Sequence, residues 1–267
     1  MSISIQVRIA AALLSILAVP PCSRAENSGE TFETATIPAG VYRPLFVGPN
    51  DAKEVAVSTF AIGARPVTNA EFLEFVRANP KWQRSAVKRL FADADYLSQW
   101  AGDTELGTSA SALQPVTRVS WFAAKAYCVW KGARLPSTAE WEFVAAAGFA
   151  TPDGAKEPEF LRAVSRWYAT PSTAALASTG TGRPNFFGIQ DLHGLVWEWT
   201  SDFNSSMVTG DARGDTGIDR QLFCGAGSMN ATDRANYPAF MRGAFRSSLK
   251  AHYTVHNLGF RIARDLP

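Results

Sequence analysis

The sequence PNFFGIQDLHGLVWEWTSDF, residues 184–203, combines five large aromatic rings with two glycines, Gly188 and Gly194. Large aromatic side chains each bury much apolar area, and glycines allow the tight turns through which several rings can converge. From Leu195 to Asp202 the side chains alternate between two faces with the two-residue period of a strand. This stretch is therefore predicted to form a turn and a strand at the centre of the core.

Glu198 is the unusual residue of this stretch, because it stands between Trp197 and Trp199. A buried carboxylate costs free energy unless it is paired with a positive group or coordinates a cation. The residues alone leave three alternatives open, which are a salt bridge, a position at the rim of the core, and a site for a hard cation.

The length and composition of the chain indicate one globular domain with a substantial core. The chain has 267 residues, of which 46% are hydrophobic and 12% aromatic. Residues 1–25 are typical of a secretory signal peptide, with an apolar run over residues 9–19 that is too short to span a bilayer. We expect cleavage after Ala25, a mobile segment over residues 26–36 and no transmembrane anchor in the exported protein.

Charge and cysteine content exclude several classes of protein. The signal removes Arg8 and Arg24 and no acid, so that basic and acidic residues balance in the mature chain. A nucleic-acid-binding protein would carry a basic cluster, and none is present. Cleavage also removes Cys22, and the remaining pair, Cys128 and Cys224, is too few for a disulfide-stapled scaffold.

Patterns along the mature chain predict short strands and short helices. Alternation predicts strands within residues 37–41 and 55–62, and capping residues predict helices that begin at Thr68, Ser120 and Ser137. Asn79, Gly132 and Gly148 mark where these helices end. Residues 81–115 are expected to be ordered but irregular, and residues 170–183 are expected to form a surface loop. Cys128 falls on the second helix, where a packed core thiol is the favoured interpretation.

Several motifs in fixed order carry a resemblance to a known family. They are PVTN at 66–69, VSW at 119–121, AYCVW at 126–130, RLPS at 134–137, EWE at 140–142, GLVWEW at 194–199 and NLGFR at 257–261. With them the chain resembles the formylglycine-generating enzyme, or sulfatase-modifying-factor, family over residues 37–263. The resemblance implies a single compact α+β domain of the C-type-lectin-like kind, here over residues 37–265, with much irregular structure.

The resemblance also bears on Glu198. Members of the family bind a structural calcium ion with oxygens from the turn that matches Asp191, Gly194, Val196 and Glu198. Oxygen ligands of this kind suit calcium. The resemblance therefore favours a calcium site here, and no second calcium site is expected, because the matching segment between Phe160 and Arg183 is shortened.

The catalytic cysteines of the family have no counterpart in this chain. The oxidases of the family hold copper(I) with two thiolates that follow a glycine-rich loop. The matching loop here is Cys224-Gly225-Ala226-Gly227-Ser228, and no cysteine follows it. The two family positions fall near Ala231 and Pro238, so formylglycine formation is not expected.

Four residues remain as candidates for catalysis. Cys224 lies at the mouth of that loop, and Arg242, Arg246 and Lys250 follow it in a setting that could lower the pKa of a thiol. Of the three histidines, which are His193, His252 and His256, the last two are four residues apart and would share a face if the segment were helical. The intervening residues instead favour a loop or strand. The candidates are thus Cys224, Arg246, His252 and His256.

Three classes of function stay open. The favoured class is a maturation or accessory factor in the bacterial periplasm, whose partner is an exported protein or a small metabolite. The second is a copper- or iron-dependent oxidoreductase with an altered centre that involves Cys224. The third is a binding module without chemistry, because a fold does not by itself imply catalysis.

Overall fold

A computed structural model describes residues 32–45, 47, 52–170, 175–204 and 237–267, and the predicted signal peptide lies outside them. The strands are β1 (Thr34–Ile37), β2 (Gly40–Tyr42), β3 (Val55–Val57), β4 (Phe60–Gly63), β5 (Trp197–Glu198), β6 (Leu258–Gly259) and β7 (Ala263–Asp265). The α-helices are α1 (Asn69–Ala78), α2 (Trp121–Trp130), α3 (Thr138–Ala145), α4 (Pro158–Ala169) and α5 (Tyr237–Ser248). These short elements, joined by long irregular segments, form one α+β domain.

The largest sheet contains three antiparallel strands in the order β1-β4-β7. Thr34 pairs with Gly63 and Ile37 pairs with Phe60, so β1 runs along the whole of β4. The mobile segment predicted over residues 26–36 is therefore wrong for Thr34–Thr36, because these residues are held by the ladder to β4. β7, close to the C-terminal end, pairs with β4 on the side opposite to β1.

The predicted helix starts are confirmed by capping geometry. Thr68 accepts the backbone N–H of Glu71, and the Glu71 carboxylate accepts the N–H of Thr68, which completes a capping box. Ser137 and Glu140 form the same reciprocal pair at the start of α3, and Ser120 caps α2 through the N–H of Ala123. The helix starts could be predicted because caps are local and depend on residues three positions apart.

Two kinds of element differ from the predictions. The strand expected over residues 195–202 is only two residues long in β5, which pairs in parallel with β6. Beyond β5 the backbone turns to other partners, since the Ser201 N–H donates to the carbonyl oxygen of Pro136. Helices α4 and α5 were not predicted, although α4 has a proline in its first turn as helices often do.

The β5-β6 pair fits tightly against the chain before α2. A Cβ atom on Gly259 would lie 2.6 Å from the carbonyl oxygen of Val116, so only glycine allows this approach. The larger core cluster surrounds Tyr127, whose ring packs against Phe72, Phe75 and Phe260. The residues that the structure describes contain no helix long and apolar enough to cross a membrane.

Candidate functional site

The carboxylate of Glu198 is buried in a salt bridge. Arg261 donates from Nε to Oε2 at 2.7 Å and from Nη2 to Oε1 at 2.8 Å. Trp141 donates its indole N–H to the same Oε2 at 2.7 Å. Both side chains of the pair are fully shielded from solvent. Of the alternatives that the sequence left open for Glu198, this arrangement is the salt bridge.

The same arrangement leaves little of Glu198 for a calcium ion. Each carboxylate oxygen has two lone pairs, and three N–H donors occupy all but one of the four. The guanidinium group of Arg261 would also repel a cation placed beside this carboxylate. The donor set therefore does not fit a calcium ion that Glu198 coordinates through both oxygens.

Asp191, the other predicted acidic calcium ligand, is held by backbone amides. Its two oxygens accept the N–H groups of Gly180 and Gly182, and the residue itself has a left-handed backbone with φ of 60°. No group of three or more His, Cys, Asp and Glu residues in the described ranges is arranged to hold a metal. Calcium at Asp191, Gly194, Val196 and Glu198 stays a prediction.

A second buried cluster joins Glu142 of α3 to Arg242 and Arg246 of α5. Arg242 donates from Nε to Oε1 at 2.8 Å and from Nη2 to Oε2 at 2.7 Å, while Arg246 donates from Nη1 to Oε1. Both guanidinium groups lie over the ring of Trp141, at 5.5 and 4.9 Å from its centroid. Charge attraction and cation–π contact thus hold α5 against α3.

The two arginines control the ionisation of Glu142. Burial raises the pKa of this carboxyl, but the charges and hydrogen bonds of Arg242 and Arg246 outweigh burial and lower the pKa to about 2. Arg242 also donates to the hydroxyl group of Tyr168 on α4 at 3.0 Å. Glu142 is therefore charged at neutral pH and connects three helices.

Aromatic rings close the cluster on the side of β5. Trp197 stacks on Phe245 of α5 with ring centroids 4.4 Å apart, and it also contacts Trp167 and Tyr168 of α4. The space left between these rings and the two arginines has a volume of about 10 Å³, which is room for one water molecule. With α5 in this position, the cluster holds helices together and has no room for a substrate.

Three of the four candidate catalytic residues lie in the described ranges, and each has different surroundings. Arg246 is committed to Glu142, and Cys224 lies outside the described residues. His252 is in a turn, and its own carbonyl oxygen accepts the backbone N–H of Asp93. His256 is exposed in the turn before β6. The segment between the two histidines is a loop, as its residues indicated, so the pair does not share a helix face.

Cys128 and His193 differ in burial, since His193 is only partly buried, although its Nδ1 atom is shielded from solvent. Cys128 is completely buried in the core cluster, and burial raises the pKa of its thiol far above its usual range. His193 Nε2 lies 3.0 Å from the carbonyl oxygen of Ala145, which can only accept, so Nε2 carries a proton and donates. Burial and the nearby Arg242 lower the pKa of His193 to about 4, so the ring is neutral at pH 7.

The fold and the order of the motifs define a domain of the formylglycine-generating-enzyme type. A family model described as sulfatase-modifying factor enzyme 1-like domain matches residues 22–266. The chain belongs to this family.

The relatives include proteins named as formylglycine-generating enzymes and one named as inactive. The formylglycine-generating enzyme of Streptomyces coelicolor is 32% identical over 262 residues, which cover 82% of each chain. The inactive C-alpha-formylglycine-generating enzyme 2 of Bos taurus is 28% identical over 292 residues and covers 89% of each chain. A hercynine oxygenase of Mycolicibacterium thermoresistibile is 33% identical, over 56% of this chain and 37% of its own.

A solved structure, that of PvdO from Pseudomonas aeruginosa, aligns with 87% of this chain and 94% of its own at 21% identity, with a TM-score of 0.49.

The partners of the two buried carboxylates were missed by sequence reasoning. Glu142 and Arg242 are one hundred positions apart, and Glu198 and Arg261 are 63 positions apart. A signal was present, because both acids lie in aromatic motifs where an unpaired charge would be costly. Only the fold shows which arginine meets which acid.

Proposed function

We propose that this protein is an exported maturation or accessory factor of the formylglycine-generating-enzyme-like family and that it does not form formylglycine. The observation that carries the proposal is the position of Cys128. Its thiol is buried in the core and its raised pKa keeps it protonated, so it is not a thiolate ligand. Cys224 is then the single remaining thiol of the mature chain, whereas a copper(I) centre of the family kind needs two.

The relatives support this proposal without naming a client. One relative is named inactive C-alpha-formylglycine-generating enzyme 2. The domain of this family therefore also occurs in a protein that is named as inactive. The predicted signal peptide points to the periplasm, where the client would be an exported enzyme or a small metabolite. The buried pairs of Glu142 and Glu198 suit such a role, since they occupy charged groups that could otherwise bind a substrate.

The first experiment measures metal content and oxidase activity of mature protein purified from the periplasm. We expect elemental mass spectrometry to find no stoichiometric copper or iron. After incubation with copper(I), oxygen and a cysteine-containing sulfatase peptide, we expect no formylglycine, while the Streptomyces coelicolor relative serves as the active control. Formylglycine, or stoichiometric copper that is lost in Cys224→Ser, would replace the proposal by the oxidoreductase alternative.

The second experiment tests the accessory role in cells. A strain that lacks the gene should accumulate an immature exported enzyme or metabolite, and both the wild-type gene and the Cys224→Ser variant should restore maturation. Failure of Cys224→Ser to restore it would make the thiol essential. An exported proteome and metabolome unchanged by the deletion would contradict the accessory role and favour a simple binding module.

A further inference from the structure

A cavity of about 70 Å³ lies between the end of α3, one side of α4 and the loop that precedes β5. Its walls are mainly apolar and include Phe149, Phe160, Val164 and Ala147. Binding sites for small molecules usually combine apolar walls of this kind with a few polar groups that fix the orientation of the ligand. The polar groups of this cavity therefore decide what it can bind.

Three of these polar groups already have partners. Asn185 donates to the carbonyl oxygen of Val144, and its own oxygen accepts the N–H groups of Phe187 and Ile189. Asp191 accepts two backbone N–H groups, as described above. Arg183 donates to Glu159 at 2.7 Å and lies over the ring of Phe149, 4.0 Å from its centroid.

The fourth polar group, His193, has an unused acceptor. Because Nε2 carries the proton that is donated to Ala145, Nδ1 presents a lone pair. This Nδ1 atom is shielded from solvent and has no hydrogen-bond partner among the residues described. A buried polar atom without a partner is uncommon in native proteins and indicates a missing partner.

We propose that this cavity binds a small molecule with a hydroxyl group, whose O–H donates to Nδ1 of His193 and whose apolar body packs against Phe149 and Phe160. A water molecule needs two to four polar partners, and the apolar walls supply few. A cavity of about 150 Å³ admits benzene, which has six heavy atoms, so about 70 Å³ admits about three, and the opening beside the exposed Ala163 leaves space for a fourth. The inference uses neither cysteine and is independent of the proposed function.

The test uses two probes of equal size, isopropanol and acetone, of which only isopropanol donates a hydrogen bond. The protein has three histidines, so ¹⁵N-histidine NMR follows each ring nitrogen separately. We expect isopropanol to shift the Nδ1 resonance of His193 in a saturable way and in the direction of a hydrogen-bonded nitrogen. Acetone should leave it unchanged, and His252 and His256 serve as internal controls for effects of the solvent.

Two variants on α4 complete the test. Ala163 lines the cavity and its side chain is exposed, so Ala163→Leu should block the cavity without disturbing the core. Ala169→Leu places the same side chain at an exposed position of the same helix that does not line the cavity. We expect Ala163→Leu to abolish the isopropanol shift and Ala169→Leu to preserve it.

A third variant tests the histidine itself. His193→Gln retains an N–H that can reach the carbonyl oxygen of Ala145 and lacks Nδ1, so isopropanol affinity by ligand-observed NMR should fall at least tenfold. The proposal is overturned if the wild-type shift is not saturable, if acetone causes the same shift, or if the shift persists in Ala163→Leu. Each of these results would mean that the cavity holds water only or that the probe acts elsewhere.

Discussion

Glu198 and Arg261 form a pair whose members depend on each other. Replacing Glu198 by Gln leaves the guanidinium group of Arg261 buried without a counter-charge. The loss of one partner of a buried pair typically costs about 3–5 kcal/mol of unfolding free energy. We expect a loss of that size for Glu198→Gln, measured by urea denaturation at pH 7.

A matched control uses an exposed pair of the same chemistry. Glu54 and Arg43 are 2.8 Å apart, but both side chains are more than half exposed. Glu54→Gln should therefore cost less than about 1 kcal/mol of unfolding free energy.

Calcium is added in a parallel series of the same measurements on wild type and Glu198→Gln. A metal bound through Glu198 would raise the melting temperature of the wild type and not that of Glu198→Gln. Such a difference would support the calcium site instead of a simple salt bridge.

Cys128 is expected to be chemically inert in the folded protein. Its thiol is buried, and its raised pKa keeps the reactive thiolate rare. In mature Cys224→Ser protein, where Cys128 is the remaining thiol, we expect no reaction with a thiol reagent under native conditions and one thiol per chain in denaturant. Rapid native reaction would show that Cys128 is accessible and would remove the main support for the proposed function.

Helix α5 is anchored through side chains of α3 and α4. An isolated helix of 12 residues is marginal in water, so α5 (Tyr237–Ser248) depends on its contacts. In Glu142→Gln both arginines of α5 lose their counter-charge. We expect the exchange rates of the α5 amides to increase relative to the wild type. This increase should be at least tenfold larger than the increase for the α1 amides.

The control for this prediction is Glu159→Gln, which removes an exposed partner of Arg183. It should leave exchange in α5 unchanged. If Glu142→Gln accelerated α1 and α5 equally, the cluster would stabilise the whole domain and would not anchor one helix in particular.

The elements differ in how much of them the sequence could predict. Helices α1, α2 and α3 were predicted because Thr68, Ser120 and Ser137 are local signals. Helix α5 was not, because the segment after the loop at residues 224–228 was interpreted only through the two cysteine positions of the family, and the helical period of α5 was overlooked. The length of β5 depends on its pairing with β6, in which Trp197 pairs with Leu258, 61 positions later, and no local pattern contains this contact.

The same distinction holds for the site. The sequence marked Glu198 as a residue that needs a partner, and it offered both a salt bridge and a cation. The choice depends on whether Arg261 reaches it, which is a tertiary contact. The cluster of Glu142, Arg242 and Tyr168 was missed for the same reason, since its members come from three helices and two of those helices were not predicted.

At the scale of the whole molecule, the buried carboxylate of Glu142 should make the protein sensitive to acid. The pKa of Glu142 is about 2 in the folded state and about 4.5 in the unfolded chain. A carboxyl whose pKa is lowered by folding stabilises the protein above its unfolded pKa, and this contribution is lost as the pH falls through the window from 4.5 to 2. The shift corresponds to roughly 3 kcal/mol, a large part of the stability of a typical domain.

The measurement is the free energy of unfolding from urea denaturation at several pH values between 7 and 3. We expect the wild type to lose stability steeply below pH 4.5. The comparison is a triple variant, Glu142→Leu with Arg242→Met and Arg246→Met. It replaces the buried ions by apolar groups and is expected to remain folded. The free energy of unfolding of this variant should fall less steeply with decreasing pH than that of the wild type. The two slopes should differ by up to about 1.4 kcal/mol per pH unit, because the variant takes up one fewer proton on unfolding. Equal slopes for the two proteins would mean that Glu142 is not held in its charged form by the arginines, and α5 would then need another anchor.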